Sequence, residues 1–142
     1  MYSSIANLAG LNFSASGNDS NAAKALKKIN TLSFFVENIW PNIFLPDLLA
    51  VKSWDFQSNQ IMYDEKIYDI NTNSWIKDYS YLKRQTPSAQ ESFVVFIGKH
   101  FSLSQDKKTG FINLSMKHQS PVLAMQWIEL VVNEVNNYYR EK

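Results

Sequence analysis

The sequence predicts an α+β fold, with helices packed on a small sheet, and two stretches carry that prediction. Over residues 101–118, FSLSQDKKTGFINLSMKH, apolar side chains recur at every second position. Phe101 and Leu103 alternate with Ser102 and Ser104, and Ile112, Leu114 and Met116 alternate with Asn113, Ser115 and Lys117. A period of two marks strands with one buried face. The polar centre, Asp106-Lys107-Lys108-Thr109-Gly110, reads as the turn of a β-hairpin, with Gly110 where a positive φ is needed. Over residues 120–142 the period changes. Ser120 has the chemistry of an N-cap and Pro121 that of a first helical residue. Ala124, Trp127, Ile128, Val131, Val135 and Tyr138 then line one face of a helix, opposite Gln126, Glu129, Asn133 and Arg140.

The remaining elements follow in chain order. Residues 1–20 are rich in Ser, Asn, Ala and Gly and hold no lasting apolar period, so a loop is expected there. Residues 21–50 read as helices. Asp19 or Ser20 caps a first piece carrying Ala22, Ala25, Leu26 and Ile29. A second piece over 33–40 carries Phe34, Phe35, Val36 and Ile39 and stops at Pro41. A short third piece starts at Pro46, with Asp47 beside its positive end. Residues 52–85 form an irregular aromatic segment in which Trp54, Phe56, Tyr63, Tyr68, Trp75, Tyr79 and Tyr81 mingle with four Asp residues. Short strands are expected near 61–63 and 75–76, with a turn at Asn71-Thr72-Asn73-Ser74. Ser88 and Glu91 have capping-box spacing, and Phe93, Phe96 and Ile97 give the stripe of a helix over 88–98 ending near Gly98.

A chain of 142 residues, 45% hydrophobic and 14% aromatic, holds enough apolar material for one domain with a real core. A formal net charge of +1 argues against nucleic acid or an anionic membrane surface as the main partner. With no cysteine, disulfides, thiol catalysis and Cys-based zinc sites are ruled out. No run approaches the ~20 apolar residues that a membrane-spanning helix requires.

Chemically suggestive constellations each have a plainer reading. Asp69-Ile70-Asn71-Thr72-Asn73 begins like a calcium loop, but Ser74 stands where the glycine belongs and Ser80 where the bidentate Glu belongs, so a turn is expected. His100 and His118 flank the hairpin, so both are expected at its open end. As an incomplete zinc set they read as structural histidines. Trp54, Tyr63, Tyr68 and Trp75 are the candidates for stacking on sugar rings, against the alternative that they bury the irregular segment. No G-x-S-x-G elbow or Walker A loop occurs. No catalytic residue, metal or cofactor is expected.

One block is more specific. Ser104-Gln105-Asp106-Lys107-Lys108-Thr109-Gly110, then a strand, then Ser120-Pro121 and the helix behind it, resembles the polysaccharide chain-length determinant family, the polysaccharide co-polymerases. Leu8-Ala9-Gly10-Leu11-Asn12, Trp54-Asp55, Tyr68-Asp69 and Thr86-Pro87-Ser88 add support, so the similarity runs over most of the chain. The resemblance implies a fragment of the periplasmic domain of a bacterial inner-membrane protein. The two membrane spans, the first strand, the rest of the long last helix and a returning strand would all lie outside this chain. It implies a non-catalytic homo-oligomer that regulates the chain length of lipopolysaccharide O-antigen or a related polymer, with the polymerase and the growing glycan as partners. On that view Val131, Val135 and Tyr138 are expected to run past the domain edge and meet another helix or another copy. A glycan-binding module built on residues 54–81 is the alternative, and a glycosidase comes third.

Overall fold

The computed structural model describes residues 2–7, 27–76, 87–106, 108 and 112–140, with residues 2–7 and 138–140 as backbone only. Its centre is a three-stranded antiparallel sheet. The expected hairpin is there: β6 (Phe101–Gln105) pairs with β7 (Ile112–His118), with Phe101 opposite Met116 and Leu103 opposite Leu114. On the other side of β7 lies β1 (Tyr2–Asn7), in register from Tyr2 opposite His118 to Asn7 opposite Asn113. The expected loop over 1–20 is therefore corrected, because its first residues form an edge strand. The physical reason is backbone pairing. Without β1, one edge of β7 would present a row of unpaired N–H and C=O groups. Residues 8–20 lie outside the described residues.

Alternation in β7 is strict. Ile112, Leu114, Met116 and His118 are buried, while Lys117 is exposed and Asn113 and Ser115 are half-buried. Over the sheet lies α4 (Pro121–Arg140), which packs on both β1 and β7. Ser120 caps it as expected, its Oγ accepting from the Leu123 N–H at 3.2 Å. The buried stripe is Ala124, Trp127, Ile128, Val131 and Val135, at helical spacing. This overturns the helix-arm expectation for two of its three residues. Val131 is 1% and Val135 0% exposed within one copy of the chain. The helix does not run off the domain, because β1, β7 and the Phe35–Ile39 turn all pack against it. The side chain of Tyr138 lies outside the described residues.

Among the described residues, short helices complete the core. A single turn, α1 (Leu32–Phe34), is capped by Thr31 and continues as a π-helical turn, Phe35–Ile39, and a 3-10 turn, Trp40–Asn42, that contains Pro41. A four-residue helix, α2 (Pro46–Leu49), starts on Pro46. Further along, α3 (Ala89–Val95) is capped by Ser88, whose side chain accepts from the Glu91 N–H. It then widens into the π turn Phe96–His100, so it runs two residues past Gly98. A Cβ at Gly98 would meet open space, so this glycine does not end the helix. The π turn delivers two buried residues, Phe96 and His100, directly before β6. Phe35, Phe96 and Phe101 form a continuous aromatic seam, with ring centroids 5.1 Å and 5.4 Å apart.

The described part of the irregular segment, to residue 76, forms a lobe of two small hairpins, while Tyr79 and Tyr81 lie outside the described residues. In the first, β2 (Val51–Asp55) pairs with β3 (Gln60–Tyr63); in the second, β4 (Tyr68–Asp69) pairs with β5 (Ser74–Trp75). Their turns carry Asn59 and Asn73 at φ near +54° and +53°, a region that Asn tolerates better than most residues. The Asn71–Ser74 turn is as expected. Asp69 Oδ1 accepts from the Asn71 N–H at 2.9 Å, so this carboxylate is engaged in shaping the turn.

Candidate functional site

The polar chemistry concentrates where α2, β3, the start of β6, the end of β7 and the start of α4 meet. His118 arrives there by strand parity, being in phase with Ile112, Leu114 and Met116. His100 arrives as the last residue of the π turn. The two rings stack at 5.4 Å, and Trp127 sets its indole edge-on against both, at 5.5 Å from His100 and 4.9 Å from His118. The expectation that both histidines lie at the open end of the hairpin is met.

The hydrogen bonds define the protonation state of His118. The Ser120 N–H can only donate, and it points at His118 Nδ1 at 2.9 Å. Nδ1 is therefore the acceptor, and the proton sits on Nε2, which donates to the Asp47 carbonyl at 2.8 Å. This ring is 1% exposed and neutral. His100 Nδ1 faces the Lys117 carbonyl at 2.7 Å and so carries a proton. Burial pushes both imidazoles below the ordinary histidine range; the facing carbonyls oppose the shift but do not cancel it.

Asp47 links this cluster to the aromatic lobe. Pro46 begins the short helix, Leu48 enters the core, and the Asp47 carboxyl takes the hydroxyl of Tyr63 at 2.5 Å. Burial raises the Asp47 pKa and the Tyr63 bond lowers it, leaving the carboxyl above its ordinary range. The Tyr63 phenol is held well above its own ordinary value, first by burial and then by the carboxylate beside it. The proton therefore stays on the phenol. Tyr63→Phe is expected to destabilise the protein by about 1.5–3 kcal/mol, as for the loss of a hydrogen bond to a charged group. Because the folded pKa of Asp47 is raised, its ionised form is the costly one. The loss should be greatest near neutral pH and shrink as acid protonates Asp47. Urea titrations of both proteins across that range check this.

The four aromatic candidates separate. Tyr68 is buried and serves as a hub, with Phe44, Tyr63 and Trp75 edge-on to it at 6.0, 6.1 and 5.0 Å. Trp54 is elsewhere, its indole N–H donating to Asn59 across the β2–β3 turn at 2.8 Å. An open cleft of about 650 Å³ borders Tyr63 and Tyr68 and is edged by Glu65, Asp69, Ile70 and Ile76. Among the family-motif residues, Ser104, Gln105 and Asp106 are exposed at the hairpin end, and Asp106 Oδ1 accepts from the Lys108 N–H at 2.8 Å. Lys107, Thr109 and Gly110 lie outside the described residues. Among the described residues no three His, Asp or Glu side chains are placed to hold a metal ion, and no helix is long and apolar enough to cross a membrane.

His118 had a signal that the alternation of Ile112, Leu114 and Met116 already contained: one more step of two puts a polar ring on the buried face. Asp47 and Tyr63 had none, since their pairing joins a helix start to a strand end 16 residues away. No family model, curated protein or solved structure matches the chain.

Proposed function

We propose that this chain is part of the periplasmic domain of a regulator that sets the chain length of lipopolysaccharide O-antigen or a related polysaccharide, acting as an oligomeric scaffold without catalysis. The support is where the resemblance falls. The block from Ser104 to the Ser120–Pro121 helix start coincides with the hairpin and the capped helix around which the core is built. Such a scaffold works by geometry, presenting surfaces that bias how long a polymerase extends the glycan. Anchoring in the inner membrane belongs, on this reading, to segments outside this chain. Contacts between copies must then use surfaces other than Val131 and Val135; Val122 and Met125 on the outer face of α4 are 41% and 56% exposed. The test is deletion of the gene in its host, followed by separation of the surface polysaccharide by size. The expected result is a polymer that is still made but has lost its preferred length. An unchanged length distribution, or no polymer at all, refutes the reading.

One observation favours a second reading, direct glycan binding: the cleft beside Tyr63 and Tyr68 combines apolar walls with the carboxylates of Glu65 and Asp69. Titration of the chain with oligosaccharides from the host polymer, followed by NMR, should shift the signals of Tyr63 and Ile70. Shifts absent from the cleft end this reading.

A further inference from the structure

We propose that the His100–His118 pair is an acid-operated latch, which fastens the Pro46–Leu49 turn, and with it the Tyr63 edge of the aromatic lobe, to the sheet at neutral pH and releases them when the rings take up protons.

The latch joins three parts of the chain through one ring. His118 Nδ1 receives the Ser120 N–H at the start of α4, and Nε2 holds the Asp47 carbonyl of α2. The carboxyl of the same Asp47 holds Tyr63 at the end of β3. A proton arriving at His118 must go to Nδ1. That replaces an acceptor with a donor facing the Ser120 N–H, and it places a cation at the positive end of a 20-residue helix. The stacked His100 adds a like charge once it is protonated, 5.4 Å away between ring centres. The ring must then turn, which withdraws Nε2 from Asp47.

Other charges around the pair do not reverse this. Lys99 and His118 both disfavour a charge on His100, whereas the Lys117 and Leu48 backbones favour it. From β7, Lys117 is exposed; from β1, Tyr2 stands opposite His118 in register. The Asp47 carboxyl is taken up by the Tyr63 hydroxyl, and its charge is not among the influences on either imidazole. The direction follows. Groups with folded pKa values below the ordinary 6.5 contribute stability that is complete above 6.5 and is lost as the pH falls below it.

Amide hydrogen exchange of the chain, corrected for the intrinsic pH dependence, tests the latch at about pH 7.5 and about pH 5. The expected result is faster exchange at residues 47–50 and at Asp64, whose N–H bonds to the Ala50 carbonyl, with residues 112–116 still protected. The linkage limit is about tenfold per pH unit for each ring. His118→Asn, whose Oδ1 can still accept from Ser120 but whose short amide lacks the reach of Nε2 to the Asp47 carbonyl, should show the fast exchange at neutral pH with little further change in acid. Should that variant not fold, NMR titration of the wild-type imidazoles decides: His118 must titrate below 6.5, in step with the exchange at 47–50. Exchange at 47–50 that ignores pH, exchange that rises equally across the sheet, or a His118 that titrates at or above 6.5 overturns the latch.

Discussion

Val135→Asp is expected to abolish folding. Val135 is 0% exposed on the inner face of α4, in the same cluster as Val131, Ile128 and Ile112. Burying its isopropyl group contributes about 1.5–3 kcal/mol. The substitution removes that contribution and adds a carboxylate to a cluster of apolar side chains. The penalty for burying an unpaired charge is several kcal/mol. The sum approaches or exceeds the ~5–15 kcal/mol total stability of a domain. Circular dichroism and urea unfolding should show a chain without a cooperative transition. Val135→Ala should fold but lose about 2 kcal/mol. Met125→Asp is the control on the outer face: at 56% exposed it should shift stability by less than about 0.5 kcal/mol. A folded, less associated Val135→Asp protein would restore the helix-arm picture that the structure corrects.

The second large effect is expected from His118→Phe. The flat aromatic shape is kept, but the phenyl ring is larger than the imidazole, so overpacking adds to the loss of the hydrogen bonds. Two backbone groups would be stranded, the Ser120 N–H at the helix start and the Asp47 carbonyl in α2. Each buried group left unsatisfied costs about 1–3 kcal/mol, so a loss of about 2–6 kcal/mol is expected near neutral pH. The difference from wild type should narrow in acid, because only the wild type carries the His118 proton linkage that destabilises it below pH 6.5. Urea unfolding of both proteins at several pH values gives that curve. A constant gap across the range would mean that His118 does not titrate on unfolding.

The patterns legible in the sequence were those written in short-range periodicity. Strands β6 and β7, the cap at Ser120, the cap at Ser88, the stripe on α4 and the short strands near 61–63 and 75–76 each depend on residues within a few positions of one another. Sterics and local hydrogen bonding are enough to specify them. The residue lists for the core, from Phe34 and Phe35 to Trp127 and Ile128, follow from the same periods.

Tertiary structure alone decided the rest. Tyr2–Asn7 carries little strand signal, and it becomes a strand only because β7, at the far end of the chain, offers it a row of backbone partners. The last helix then packs on β1, on β7 and on the Phe35–Ile39 turn, and Val135 is buried in the core that these elements share. The meeting of Asp47 with Tyr63 and His118 is of the same kind. Strand parity marks His118 for the buried face, but nothing among their sequence neighbours marks Asp47 or Tyr63 as its companions. Their bonds form where α2 meets the ends of β3 and β7: His118 and Asp47 are buried and Tyr63 is half-buried, and polar groups withdrawn from water must find one another.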